Sequence, residues 1–242
     1  RRNNQENNSL KARANDVPAG RATPIILLEG TGGVSVFSLQ FAKALGLKVI
    51  CTSSSNSKLE LVRKLGADVC INYSNTKAWG KKAYEISCKL RDDSSTNGRK
   101  AEGGVDTVVD VGGAATLSNA IDAVRIGGKI MMVGNLGGRG GEIKRLDKIF
   151  YKAIRIQGLV VGHKQGFEDM LKTMETHRIR PVVGKVFDLA HSKEAFSYMA
   201  SDKSRFGKVV IRVSTPPSKC LSSSRPSPSL PAARDVTLSS KL

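Results

Sequence analysis

IILLEGTGGVSVFSLQFAKALG, residues 25–46, is the stretch on which the fold turns. A short, largely apolar run leads into Gly30, Gly32 and Gly33, and then into a segment whose apolar residues recur at helical spacing. Glycines at such a junction permit a tight turn and let the backbone approach a pyrophosphate, whose charge meets the unpaired N–H groups at the start of the helix. The third position of the G-x-G-x-x-G pattern holds Ser35, whose small hydroxyl still allows helix and strand to pack closely. An ordinary strand-to-helix turn would explain the glycines alone. Strand, turn, helix and second strand at the proper spacing point instead to a dinucleotide-binding unit.

Outward from this stretch, short apolar runs alternate with longer amphipathic ones. The candidate strands are 25–29, 48–52, 69–72, 105–111, 129–133 and 154–161, nearly continuous apolar runs of the kind buried on both faces of a parallel sheet. Leu59, Leu61, Val62 and Leu65 mark a second helix ended by Gly66, and residues 78–90 a third. Leu117, Ala120, Ile121 and Val124 predict a fourth after Gly113, closed by Gly127 and Gly128. The polar stretch 91–104 reads as a surface loop. The predicted fold is α/β, a Rossmann-type doubly wound parallel sheet of about six strands. Beyond His177, residues 180–189, 192–201 and 206–213 read as strand, helix and strand, more than a six-stranded unit needs. They are expected to belong to a neighbouring domain.

The chain has 242 residues and is 40% hydrophobic, enough for a sizeable core. No apolar run approaches the roughly 18 residues of a membrane span, and the polar amino end has no signal-peptide character, so the expected compartment is the cytoplasm. Cys51, Cys70, Cys88 and Cys220 lie far apart with no C-x-x-C pair, which argues against a disulfide framework or a zinc knuckle. Buried reduced thiols and no bound metal are expected. The net charge of +18 raises nucleic acid as a partner, but the excess is spread along the chain. Aromatics are 5%, and no basic stretch is interleaved with stacking rings, so a basic nucleic-acid-binding module is the weaker reading.

The end of the second strand selects the ligand. An NAD-binding unit carries an acidic residue there for the ribose 2′-hydroxyl, whereas hydroxyl and basic residues suit a 2′-phosphate. This chain has CTSSSNSKLE at 51–60, with Ser53 where the acid would sit, Ser54 beside it and Lys58 one helical turn on. NADP(H) is favoured; the alternative is a serine-rich loop with Ser57 capping a helix. A methyltransferase would also place a glycine-rich turn after its first strand, but it too wants an acidic residue where the serines stand.

GTGGVS (30–35), residues 48–73, GVDTVVDVGG (104–113), GGKIMMVGNLGG (127–138), IQGLVVG (156–162), FEDML (167–171) and FGKVVIRV (206–213) together resemble the cofactor half of medium-chain dehydrogenase/reductases. The likeness covers about residues 17–213 and is nearest to NADPH-dependent quinone-reductase-like and zinc-type alcohol-dehydrogenase-like members. The resemblance implies that Gly32, Gly33 and Val34 line the pyrophosphate, and that Ser53, Ser54, Lys58 and Tyr73 surround the 2′-phosphate and adenosine. It places Val111 and Gly112 at the adenosine-side ribose, Val133, Gly134 and Asn135 at the nicotinamide, Val160 and Val161 at its amide edge, and Lys208 back at the phosphates. Taken singly, these valines suit a core, Tyr73 a strand end and Lys208 a solvated edge. His163, close to the expected nicotinamide, is a candidate proton donor; His177 and His191 read as helix-end residues.

The resemblance also implies a hydride exchanged with a small carbonyl compound, alcohol or quinone, a small-molecule partner rather than nucleic acid or membrane, with homo-oligomerisation left open. Family members carry a barrel-like catalytic domain before this unit, and this chain starts at Arg1. The expected organisation is a disordered polar leader at 1–23, an NADP(H)-binding domain at 24–181, a strand–helix–strand remnant of the barrel-like catalytic domain at 182–213 and a disordered Ser/Pro-rich tail at 214–242. Such a chain is expected to be a fragment, incomplete for catalysis.

Overall fold

A computed structural model describes residues 23–92, 103–138, 145–201 and 205–214. All but the last residue of the predicted leader, all but the first of the predicted tail, and most of the 91–104 loop lie outside the described residues. Chain order begins β1 (Ile25–Glu29), α1 (Gly33–Ala44), β2 (Lys48–Ser53), α2 (Asn56–Lys64), β3 (Val69–Asn72) and α3 (Trp79–Asp92). It continues through β4 (Val105–Asp110), α4 (Ala114–Ala123), β5 (Val124–Met132), α5 (Leu146–Tyr151) and β6 (Arg155–Gly158). It ends with α6 (Lys164–Thr176), β7 (Val183–Asp188), a 3₁₀ turn at Leu189–His191, α7 (Ser192–Ser201) and β8 (Lys208–Arg212).

Strands β1 to β6 form one parallel sheet in the order β3-β2-β1-β4-β5-β6, the doubly wound fold that the sequence predicts. Because strand side chains alternate, β1 sends Ile25 and Leu27 to one face and Leu28 to the other. Ile25 and Leu27 pack with Ile50, Val108, Leu117 and Ile121 under α3 and α4. Leu28 packs with Val36, Leu39, Val49, Leu59 and Val62 under α1 and α2. Each buried Leu or Ile contributes about 1.5–3 kcal/mol by leaving water. Helix α1 stops at Gly46, whose φ of +73° lets Leu47 N–H reach back to the Ala42 carbonyl at 2.9 Å.

Two predicted boundaries are corrected. The fourth helix ends at Ala123, not at Gly127 and Gly128; Val124 already belongs to β5 and pairs with Val105. Its end is capped from a distance, since Lys152 Nζ donates to the carbonyls of Ile121, Asp122 and Val124 at 3.0, 3.2 and 2.8 Å. The two glycines sit inside β5 next to a register shift opposite Val105–Thr107. The sixth strand covers only Arg155–Gly158: Leu159 N–H still donates to Met132, but Val160 and Val161 leave the sheet.

Strands β7 and β8 form a separate two-stranded parallel sheet connected through α7, matching the predicted strand–helix–strand order. Its link to the larger sheet is specific. Phe206 is buried in the cluster under α1, Gly207 N–H reaches the Thr31 carbonyl, and Gly32 and Gly207 form an isolated parallel bridge. Gln40 of α1 adds a hydrogen bond to the Arg180 carbonyl at 2.7 Å. No helix among the described residues is long and apolar enough to cross a membrane.

Candidate functional site

A groove of about 870 Å³ opens at the carboxyl ends of β1, β2 and β4, where the strand order reverses. Its base is the glycine turn. Gly30 has a φ of +73°, a conformation that a side chain would strain. A Cβ on Gly33 would come within 2.9 Å of Lys208 Nζ, so the lysine from β8 lies directly against the start of α1. The same ammonium stands 5.2 Å from the ring centre of Phe37. A lysine at a helix N-terminus, where N–H groups lack helical partners, makes a site for anionic groups. Ser35, at the departure from the glycine pattern, is buried and donates its hydroxyl to the Glu29 carbonyl at 2.5 Å, fastening helix to strand.

At the end of β2, Ser53 is buried and its Oγ accepts the Ser55 N–H at 3.4 Å, while Ser54 is exposed. Ser55, not Ser57, occupies the N-cap of α2. Ser53, Ser54, Lys58 and Tyr73 all line the groove with Gly30, Gly32, Gly33, Val34, Val111 and Lys208. Among the described residues the groove's one lining carboxyl is Glu29, at the end of β1. Gly112 lines an adjoining hollow of about 450 Å³ that shares Glu29, Gly30, Tyr73 and Val111 with the groove.

The remaining expected positions lie elsewhere. Val133 packs partly buried against the cluster under α1, and its N–H donates to the Asp110 carbonyl at 2.8 Å. Gly134 lies beside Val111, whose carbonyl a Cβ would meet at 3.1 Å. Asn135 fills the space over Gly113, at the start of α4. Val160 and Val161 are 93% and 82% exposed and outside both cavities. His163 caps α6, its Nδ1 accepting the Gly166 N–H at 3.0 Å, and His177 ends the same helix. The groove also recruits residues that the sequence reading passed over: Leu136 after β5, Met199 on α7, and Arg205 just before β8.

Glu29, the last residue of β1, lies at the groove's floor and is 3% exposed. Its Oε2 accepts the N–H groups of Val111 and Gly112 at 3.3 and 3.4 Å. Burial, with the neighbouring Asp110, pushes its pKa up to about 8. Burial also raises Asp110, opposed by the Gly113 amide and the Thr116 hydroxyl. Among the described residues no three His, Cys, Asp or Glu side chains gather around one point, so the residues present do not fit a zinc site.

A parallel sheet in this order, with a glycine turn opening onto a groove at the switch point, defines the Rossmann class of α/β protein. Within that class the chain belongs to the zinc-binding dehydrogenase family, whose sequence pattern matches residues 33–176, and so to the medium-chain dehydrogenase/reductases. It is 38% identical over 191 residues to a zinc-type alcohol dehydrogenase-like protein of Schizosaccharomyces pombe, covering 78% of this chain and 51% of that protein. It is 28% identical to an acryloyl-coenzyme A reductase of Sulfurisphaera tokodaii, with 79% and 52% covered. A solved NAD-dependent alcohol dehydrogenase is 31% identical, superposes with a TM-score of 0.67, and is matched over 81% of this chain and 52% of its own. The chain spans about half the length of the curated relatives it matches. With family membership in hand, the methyltransferase alternative is set aside.

Proposed function

We propose that this chain is the pyridine-nucleotide-binding part of an oxidoreductase, that its groove prefers NADP(H) to NAD(H), and that the acceptor is a small carbonyl compound, alcohol or quinone. The observation that carries the cofactor reading is the pairing of the glycine turn with Lys208 at one end of the groove and of Ser53, Ser54 and Lys58 at the other. The first end suits a pyrophosphate, because the N-terminus of α1 and the lysine ammonium face the same space. The second end suits a 2′-phosphate, because among the described residues it offers the hydroxyls of Ser53 and Ser54 and the cation of Lys58. Tyr73 and the Val111–Gly112 turn would hold the adenosine.

When bound, a nicotinamide cofactor supplies the hydride. The chain's own residues would anchor the phosphates and fix the ribose, while Leu136 at the groove's edge is 80% exposed. Orienting an acceptor beside the cofactor supplies about 7–11 kcal/mol of barrier lowering in enzymes, and no walls for that purpose are identified among the described residues. The acceptor's own contacts are therefore assigned to residues beyond the described ones.

Fluorescence titration tests the reading. NADPH is expected to bind at least about tenfold more tightly than NADH, about 1.4 kcal/mol. Lys58→Ala is expected to remove that preference by weakening NADPH alone. Equal affinities would discard the 2′-phosphate site and keep the dinucleotide groove; no binding by either cofactor would discard both.

A further inference from the structure

Glu29 has features that cofactor anchoring leaves unused. Its Oε1 is shielded from solvent and has no hydrogen-bond partner among the described residues, while Oε2 shares two long bonds from backbone amides. The side chain borders both the groove and the adjoining hollow. On the adjacent strand, Asp110 is fully buried and already committed, with Oδ1 accepting the Gly113 N–H at 2.7 Å and Oδ2 the Thr116 hydroxyl at 3.1 Å. Two buried carboxyls at neighbouring strand ends resist ionising together. The shorter donors favour charge on Asp110, so the proton belongs on Glu29. An unpartnered neutral oxygen costs far less in such a place than an unpartnered charged one.

We propose that Glu29 is a positioning residue of the nucleotide groove: it ties the end of β1 to the Val111–Gly112 turn as a neutral, proton-bearing side chain, and loss of its proton weakens binding of an anionic dinucleotide. The inference rests on the reading that the groove holds a pyridine dinucleotide. A second carboxylate under the turn would repel the phosphates and would also repel Asp110, loosening the tie between strands. Strand β2 sets Thr52 opposite Glu29, and α4 contributes Thr116, whose hydroxyl, like the Val111 and Gly112 amides, favours the charged form of Glu29 but is outweighed by burial; neither residue is charged. The other titratable groups of the two cavities are Tyr73 and the cations Lys58, Lys77, Arg205 and Lys208, so Glu29 is the acid exposed to the ligand's field.

Two measurements on the full chain test this. In the first, NADPH is titrated between pH 7 and pH 9, where its 2′-phosphate, with a pKa of about 6, is already largely ionised. The wild-type Kd should rise at least about fivefold across that range, and that of Glu29→Gln less than about twofold. In the second, ligand-free unfolding is followed from pH 5 to pH 8. A carboxyl whose folded pKa is raised stabilises the fold below its unfolded pKa and loses that contribution as pH rises toward 8. The wild-type midpoint should therefore fall relative to Glu29→Gln. Asp110→Asn, which removes the neighbouring charge, should move both transitions to lower pH and serves alone if Glu29→Gln does not fold. Parallel midpoints for wild type and Glu29→Gln, or NADPH binding that stays flat in the wild type, overturn the proposal. Diverging midpoints with no cofactor bound at any pH would keep the proton on Glu29 while discarding the cofactor reading and the ligand linkage with it.

Discussion

The six-stranded sheet and the β7–β8 pair are made of similar material, parallel strands of branched apolar residues, yet they differ in what covers them. Leu27, Ile50, Val108 and Ile130 are wholly buried, whereas Val186 and Val210 remain 45% and 37% exposed. The charges differ in the same way. Asp106, at the start of β4, accepts the Ile25 N–H at 2.8 Å, Arg91 at 2.7 Å and Arg125 at 2.6 Å, in a largely buried cluster. Asp188 meets Arg212 at 3.6 Å with both side chains more than half exposed. Branched residues make strands in either setting; helices on both faces turn one set into a core.

The largest expected effect tests that contrast directly. Leu27→Ala should cost about 2–5 kcal/mol in denaturant unfolding, while Val186→Ala should stay within about 0.5 kcal/mol. Equal costs would mean that the smaller sheet carries core weight after all. Next, Asp106→Asn should cost about 2–4 kcal/mol, because Arg91 would be left buried without its carboxylate. Burial opposes ionisation of Asp106, but the Ile25 amide and the two arginines prevail and hold its pKa below the usual value. Its contribution is thus present above the unfolded pKa and lost as pH falls through the folded one; the acid limb of a stability profile should flatten in Asp106→Asn.

A smaller effect concerns the contact between the two regions. On the proposed reading, in which Lys208 meets a phosphate common to both cofactors, Lys208→Ala should weaken NADPH and NADH alike, by about 1–2 kcal/mol. A loss confined to NADPH would move Lys208 to the 2′-phosphate. The smallest is Asp188→Asn, expected to change unfolding by less than about 0.5 kcal/mol, the usual worth of an exposed pair. A measurable loss there would show that the β7–β8 sheet depends on its rim.

The same contrast governs what could be read from the sequence. The larger sheet was legible because burial on both faces writes continuous apolar runs, and because Gly30, Gly46 and Gly66 punctuate its turns where positive φ is required. The end of α4 was not. The cap on its last carbonyls comes from Lys152, far along the chain, and no local pattern records it; Gly127 and Gly128 looked like a stop because the shift inside β5 is a property of pairing. Leu136, Met199 and Arg205 were missed for a similar reason, since their place in the groove follows from where three separate segments meet. Glu29 did leave a signal, an acid closing an apolar strand immediately before the glycine turn.

The bridge from Gly32 to Gly207 has a consequence in time. Gly32 leaves a ribosome long before Gly207, so the turn is made well ahead of the strand that completes it. In that interval β1 and α1 can form while the glycine-turn end of the groove stands unfinished on one side, awaiting Phe206 to settle under α1 and Lys208 to reach Gly33. Pairings of such long sequence separation form late because a large loop must close first. The nascent chain should therefore form β1 and α1 before it closes the groove above them.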